Sequence, residues 1–139
     1  MKFKTMGYIA VISASLFAQL AFAAGDGDSV TYKNTRGSIL QLQFNSDDSL
    51  NGTFTTAVAS KDCQQAIGVK KPIIGYIAKN AITFSVNYPE CGAVVTFVGN
   101  IEENKKFIDT TAIVAHQSTH IATEGPGARM ISHDTFNRI

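Results

Sequence analysis

Tryptophan is missing from this 139-residue chain, proline occurs only three times, and neither sign of charge is in excess. Twelve basic and eleven acidic residues leave a formal net charge of +1, so no basic field exists to attract nucleic acid or anionic lipid. After the first 23 residues, no stretch is long and apolar enough to cross a bilayer. We therefore expect neither nucleic acid nor a membrane as a partner.

Residues 1–23 have the pattern of a cleaved secretory signal peptide. Two lysines precede an apolar run from Tyr8 to Leu20, and Ala21-Phe22-Ala23 matches a small-x-small cleavage site. The run is short for a membrane span, which argues against the alternative of an uncleaved anchor. Cleavage would leave residues 24–139 as a single domain with a formal charge of −1, located in the periplasm or outside the cell.

Cysteine is scarce as well, but its two copies, Cys63 and Cys91, both follow the predicted cleavage site. An even number of cysteines in an exported chain favours a disulfide between them. Closing a loop of that length would contribute about 3.5 kcal/mol on the chain-entropy model. A catalytic thiol is a poor alternative, because neither cysteine belongs to a CxxC or Cys/His motif.

The remaining sequence consists of short segments with alternating apolar and polar residues, separated by turn residues. The clearest runs from Leu50 to Ser60 and places Phe54, Thr56 and Val58 on one face. A buried hydroxyl on an apolar face costs free energy unless it is hydrogen-bonded. This face therefore either lines a cavity that holds a polar ligand, or the Thr56 hydroxyl bonds to a neighbouring backbone group or to water. The eight predicted strands are residues 30–33, 38–44, 50–60, 73–78, 81–88, 93–101, 106–116 and 129–139.

Eight consecutive strands joined mostly by short turns predict an all-β fold, an eight-stranded antiparallel up-and-down β-barrel. Closure removes the exposed edges that an open sheet of this kind would leave. A two-sheet sandwich is the alternative, although sequential hairpins need no Greek-key crossing. A barrel of eight strands holds either packed side chains or one small ligand.

Three separated segments match one known family in their order along the chain. They are Thr31-Tyr-Lys-Asn-Thr-Arg-Gly-Ser38, Gly52-Thr-Phe-Thr-Thr-Ala-Val58 and Ser132-His-Asp-Thr-Phe136. They resemble, in turn, the first strand and turn, the third strand and the C-terminal G-H-D-T-F motif of the avidins and streptavidins, with serine replacing the motif's glycine. The resemblance covers nearly all of residues 24–139. It implies a streptavidin-like barrel that binds biotin in its mouth as a ligand, with no cofactor, no metal and no enzymatic activity.

The resemblance also implies roles for individual residues. Asn34 and Ser38 would donate to the ureido oxygen of biotin, while Thr56 and Asp134 would accept from its two N–H groups. This chemistry is coherent, because a buried urea has one acceptor oxygen and two donors that must all be paired. The residues predicted to contact the ligand are Asn34, Ser38, Phe54, Thr56, Val58, Ser60, Tyr88, Phe97, Val114 and Asp134.

These polar residues also have purely structural interpretations. Asn34 is an ordinary turn residue, and Ser38 could cap the same turn. Asp134 needs a donor wherever it is buried, and its structural partner would be a backbone N–H or the hydroxyl of Thr110. The ligand interpretation of Asp134 is favoured, because the structural one requires such a donor inside the barrel.

The chain departs from the family in its aromatic residues. Tyr88, Phe97 and Ala112 stand at three positions where the family has tryptophan or another aromatic residue, and Phe54 replaces a tyrosine that holds the ureido oxygen. Replacing tryptophan by alanine removes about 3 kcal/mol of apolar contact at about 25 cal/mol/Å². We therefore expect weaker biotin binding than in the classical avidins.

The cysteine positions resemble those of the short, dimeric avidins, in which a disulfide ties the ligand-covering loop to the next loop. The resemblance thus implies a homodimer. One alternative is an exported barrel that carries another small ligand or inhibits a protein. A metal enzyme using His116 and His120 is a weaker alternative, because no carboxylate or cysteine lies at ligand spacing, and two solvated histidines is the better account.

Overall fold

The computed structural model describes residues 27–139, so the predicted signal peptide lies outside the described residues. Eight strands pair antiparallel, each with the next in sequence, and the last pairs with the first to close a barrel. The predicted all-β, eight-stranded up-and-down barrel is confirmed, and the sandwich alternative is wrong. The strands are β1 Ser29–Asn34, β2 Ile39–Phe44, β3 Ser49–Thr55, β4 Lys70–Ala78, β5 Ala81–Tyr88, β6 Ala93–Ile101, β7 Phe107–His116 and β8 Arg129–Arg138.

The two ends of the barrel differ in their connections. Tight turns join β2 to β3, β4 to β5 and β6 to β7, and each includes one non-glycine residue in the left-handed conformation: Asp48, Lys79 and Lys105. We call this the closed end. At the opposite end, which we call the mouth, residues 56–69 and 117–128 form the two long connections. The connections long enough to cover a ligand therefore lie at the mouth.

The mouth connections contain elements that the sequence did not reveal. β3 ends at Thr55 instead of Ser60, and the expected loop holds a 3₁₀ helix, Lys61–Ala66, before β4 begins at Lys70. A four-residue helix, Ile121–Glu124, lies in the second connection. The early end of β3 corrects the expectation for Val58, which lies beyond the strand and is 44% exposed.

Alternation along the strands puts a continuous apolar core inside the barrel. On β5 it buries Ile82, Phe84, Val86 and Tyr88, as the sequence predicts. A glycine on β3, Gly52, has a φ of +147°, and a Cβ there would collide with the backbone carbonyl of Gln41 on β2. The family-like Gly-Thr-Phe segment thus needs its glycine for close approach of two strands.

Four phenylalanine rings fill the interior between the closed end and the mouth. The rings of Phe84 and Phe97 stack at 4.7 Å, and Phe54 lies 5.3 Å from Phe97. Phe136 meets the other three edge-on at 5.6–6.4 Å. Tilted and edge-on aromatic pairs of this kind stabilise the fold by more than the area they bury. The four rings therefore form a well-packed floor beneath the mouth.

The predicted disulfide between Cys63 and Cys91 is confirmed, with the two Cα atoms 5.5 Å apart. It joins the 3₁₀ helix after β3 to a second 3₁₀ turn, Pro89–Cys91, which connects β5 to β6. Within residues 27–139, no helix has the length and apolar character needed to span a membrane.

Candidate ligand-binding site

A cavity of about 430 Å³ lies between the phenylalanine floor and the mouth. All ten residues predicted to contact a ligand contribute to its wall, although they come from six of the eight strands, the turn after β1 and the loop after β3. The complete lining is Asn34, Arg36, Ser38, Phe54, Thr56, Val58, Ala59, Ser60, Cys63, Ala66, Tyr88, Ala93, Val95, Phe97, Ala112, Val114, His116, Met130, Ser132 and Asp134.

Asp134 is the acidic residue of this lining, and it is only 6% exposed. Its Oδ2 accepts a hydrogen bond of 2.9 Å from the side-chain amide of Asn34, whereas its Oδ1 is buried without a partner among the described residues. The Thr110 hydroxyl, considered above as a structural partner, donates to the main-chain carbonyl of Asp134 and not to the carboxylate. One carboxylate oxygen is therefore left to accept a donor from elsewhere.

Asn34 is held by the turn that it starts. Its Oδ1 accepts from the backbone N–H groups of Arg36, at 3.1 Å, and Ser38, at 2.8 Å. This fixes the side-chain amide so that the Nδ2 group faces Asp134 and uses one of its two N–H donors there. The structural and the ligand interpretations of Asn34 are therefore compatible, because the turn positions a donor in the cavity wall.

Ser38 is 1% exposed, and its hydroxyl oxygen accepts a 3.0 Å bond from the backbone N–H of Ala57. Within the described residues the Ser38 side chain makes this one hydrogen bond, in which it is the acceptor. The Ser38 hydroxyl proton is therefore available to an acceptor in the cavity. The same bond fixes the start of the loop after β3 to the turn after β1.

The Thr56 hydroxyl is hydrogen-bonded to the nearby backbone, which is one of the two alternatives considered from the sequence. Its hydroxyl donates to the carbonyl of Val58 at 2.5 Å and accepts a longer bond, 3.3 Å, from the Val58 N–H. Because the hydroxyl proton is already used, Thr56 can act towards a ligand only as an acceptor. That is the role the resemblance implied, although the loop geometry, and not a strand face, supplies it.

Tyr88 is 6% exposed, and its hydroxyl is buried with no hydrogen-bond partner among residues 27–139. Burial raises the pKa of Tyr88 to about 12, and the negative charge of Glu90 adds to the rise. Glu90 is itself paired with Lys71 at 2.7 Å, and the Lys71 ammonium lies 5.9 Å from the centre of the Tyr88 ring. The phenol is thus a neutral donor at ordinary pH.

The apolar wall is made of small side chains. Ala93, Val95, Ala112 and Val114 line the cavity from β6 and β7, and Phe97 continues that wall down to the floor. Met130 also reaches the cavity while 54% exposed, at the start of β8.

Some lining residues were missed from the sequence. His116 is half-buried in the cavity wall, which corrects its interpretation as a solvated histidine, whereas His120 is exposed. A signal existed, because His116 alternates with Ala112 and Val114. Arg36 had no such signal, because it lies in the turn between β1 and β2. Ala66 had none, because it lies in a segment without periodicity that the disulfide brings over the cavity.

The described part of the chain contains no group of three or more histidine, cysteine or acidic side chains able to hold a metal ion. A closed antiparallel barrel with an apolar, partly polar cavity at one end is the architecture of a small-ligand-binding barrel. The family model of the Avidin family matches residues 28–139. The chain belongs to the avidin family.

Solved structures agree with this fold. The bradavidin2–biotin complex has a TM-score of 0.64 and 24% identity, covering 79% of this chain and 95% of that chain. The rhizavidin–biotin complex has a TM-score of 0.65 and 21% identity, covering 81% and 100%. Core-bradavidin has a TM-score of 0.65 and 25% identity, also covering 81% and 100%. No curated protein is significantly similar to the chain.

Proposed function

We propose that this protein binds biotin in the cavity at the barrel mouth. The observation that carries the proposal is the buried Asp134 carboxylate, which bonds Asn34 through one oxygen and has no partner for the other within residues 27–139. Ser38 lines the same cavity and keeps a hydroxyl proton to donate. A cyclic urea brings an acceptor oxygen and two N–H donors, which these groups complement. Similar solved structures of bradavidin2, rhizavidin and short afifavidin are complexes with biotin.

In this arrangement the ureido oxygen accepts from Ser38 Oγ and from the second N–H of Asn34. One ureido N–H donates to Asp134 Oδ1, and the other donates to Thr56. Val58 and Ser60 cover the ligand from the loop after β3, while Phe54, Phe97, Val114 and the Tyr88 ring pack around it. Leaving any of these buried polar groups unpaired costs about 1–3 kcal/mol, so the ligand is selected by its hydrogen-bonding pattern.

Calorimetric titration of biotin into the purified wild-type protein and into the Asp134→Ala variant tests this proposal. Hydrogen bonds to charged groups contribute about 1.5–3 kcal/mol, so the variant is expected to bind at least about tenfold more weakly. Asp109→Ala removes an exposed carboxylate from the outer face of β7 and serves as the control. Equal affinity in Asp134→Ala and the wild-type protein would remove Asp134 from the site.

Weaker binding than in the classical avidins is the second part of the proposal. It is supported by the absence of tryptophan and by the two alanines that line the cavity from strands, Ala93 and Ala112. Absence of any biotin binding would instead favour the alternative, a carrier of another small ligand or an inhibitor acting through the mouth loops.

We further propose that the protein is exported after cleavage at Ala23 and acts as a homodimer. The outer face of β6, β7 and β8 supports the dimer, because it leaves Val94, Val98, Ile113 and Ile131 between 39% and 73% exposed. Such apolar patches mark association surfaces. An intact-mass measurement on exported protein tests the cleavage, and sedimentation of Ile131→Glu beside the wild-type protein tests the dimer.

A further inference from the structure

Met130 is a half-exposed methionine in the wall of the cavity. It is the second residue of β8 and lies opposite Val114 on β7, and both residues line the cavity. Ser132 and Asp134, which alternate with Met130 along β8, continue the same wall towards the closed end. Met130 is nevertheless 54% exposed, so its side chain reaches both the solvent and the interior of the cavity.

The thioether of Met130 is the sulfur atom of the described residues that remains open to oxidation. Within residues 27–139 both cysteines are joined in the disulfide, and none is free. The sequence contains three methionines, of which Met1 and Met6 precede the predicted cleavage site, and it contains no tryptophan. An oxidant that enters the mouth of the barrel therefore meets this one thioether, and it meets it in the wall that faces the ligand.

Peroxides oxidise methionine by transferring one oxygen atom. The sulfur lone pair attacks one oxygen of hydrogen peroxide, and the O–O bond breaks as the S–O bond forms. The departing oxygen takes the proton of the transferred one and leaves as water. Sulfur thereby loses two electrons and the peroxide gains them. The product is a sulfoxide, which is polar and which methionine sulfoxide reductases convert back to the thioether.

A sulfoxide at Met130 would change the character of the apolar wall around it. Val114 lies opposite Met130, and Val95 lies opposite Val114 on the next strand. Both valines line the cavity, and neither side chain offers a hydrogen-bond donor. A sulfoxide oxygen turned inward would lie unpaired against these side chains, which costs free energy. A sulfoxide turned to solvent would withdraw the side chain from the ligand. Either arrangement weakens binding.

We propose that Met130 is a modification site at which a peroxide controls ligand binding. Oxidation to the sulfoxide lowers the affinity of the cavity, and reduction to the thioether restores it. This inference rests on the proposed function, because biotin is the ligand whose affinity reports the change. It adds to that function a dependence on oxidants that acts through the cavity wall and leaves the hydrogen-bonding residues unmodified.

The test treats the purified protein with hydrogen peroxide and follows the gain of one oxygen at Met130 by peptide mass spectrometry. Calorimetric titration is expected to show biotin affinity about five- to tenfold lower in the sulfoxide form, the scale of one unpaired polar group. Met130→Leu keeps an apolar side chain of similar size without the sulfur, and its affinity is expected to be the same before and after treatment. Methionine sulfoxide reductase is expected to restore the affinity of the oxidised wild-type protein.

Thermal unfolding of the oxidised protein separates a local effect from loss of the fold. The proposal is overturned if the oxidised protein binds biotin as tightly as the untreated one, or if its weaker binding accompanies unfolding. An equal loss of affinity in Met130→Leu would overturn it too, and so would a Met130 that gains no oxygen under conditions that oxidise free methionine. In each of these cases biotin binding by the untreated protein stands. If the untreated wild-type protein binds no biotin, the proposed function fails and this inference fails with it.

Discussion

Ala112 offers a direct test of whether the missing tryptophans weaken biotin binding. It is 5% exposed on the inner face of β7, opposite Phe97 on β6 and Ser132 on β8, and it lines the cavity. A tryptophan side chain buries roughly 150–250 Å². If about 100 Å² of it contacts the ligand, the gain is about 2.5 kcal/mol at about 25 cal/mol/Å². Ala112→Trp is therefore expected to bind biotin about 70-fold more tightly.

The assay benefits from the composition of the chain. Because the protein contains no tryptophan, the indole in Ala112→Trp is the variant's one tryptophan, and its emission reports on the cavity wall. Its emission is expected to shift when biotin displaces water from the cavity, and calorimetry gives the affinity independently. Tyr76→Trp places the same fluorophore on the exposed outer face of β4 and is expected to show no response to biotin.

Overpacking is the competing effect, because extra volume in a packed wall costs about 1–3 kcal/mol. Thermal unfolding of the variant measures this cost directly, and Ala112→Phe supplies an intermediate size. The affinity order Trp, Phe, Ala in folded variants supports the argument. An Ala112→Trp protein that keeps its unfolding temperature, yet shows neither tighter binding nor a change in emission, would refute the placement of Ala112 against the ligand.

Two further predictions concern stability. Replacing both Cys63 and Cys91 by serine is expected to cost about 3.5 kcal/mol in the free energy of unfolding, measured by urea denaturation beside the wild-type protein under oxidising conditions; an unchanged urea midpoint would contradict it. Burial raises the pKa of both Tyr32 and Tyr88 to about 12 from an ordinary 10.0, Arg138 opposing the rise at Tyr32. As pH rises, the unfolded chain loses these phenol protons before the folded protein does. The free energy of unfolding is therefore unaffected below pH 10 and falls as pH rises towards 12, by about 2–3 kcal/mol for each tyrosine. Unfolding of Tyr88→Phe across this range is expected to lose about half of that dependence, and a profile identical to the wild-type one would exclude Tyr88 as a source.

The parts of the fold that the sequence predicted well are those governed by local alternation. The bounds of β5 and β6 match the expected residues 81–88 and 93–101, because strict alternation runs between unambiguous turns. The junction of β3 and β4 was misplaced. Alternation continues through Thr56 and Val58, but the Thr56 hydroxyl bonds to the Val58 backbone, and the chain leaves the strand there.

The site was predictable where a polar residue interrupts an apolar face. Thr56 and Asp134 belong to that class, and both lie in the cavity wall. The unpartnered oxygen of Asp134 could not be read from the sequence, because it depends on Asn34, one hundred residues away, and on Thr110 bonding the main chain instead. His116 was missed because its inward direction matters only once Ala93 is known to lie beside it.

The disulfide between Cys63 and Cys91 holds the loop after β3 over the cavity by a covalent bond within one chain. The two cysteines are 28 residues apart in one chain, so the position of this loop does not depend on a second copy of the chain. Diluting the protein should therefore leave this loop in place. A reductant should loosen it at any protein concentration, which links ligand retention to the redox state of the surroundings.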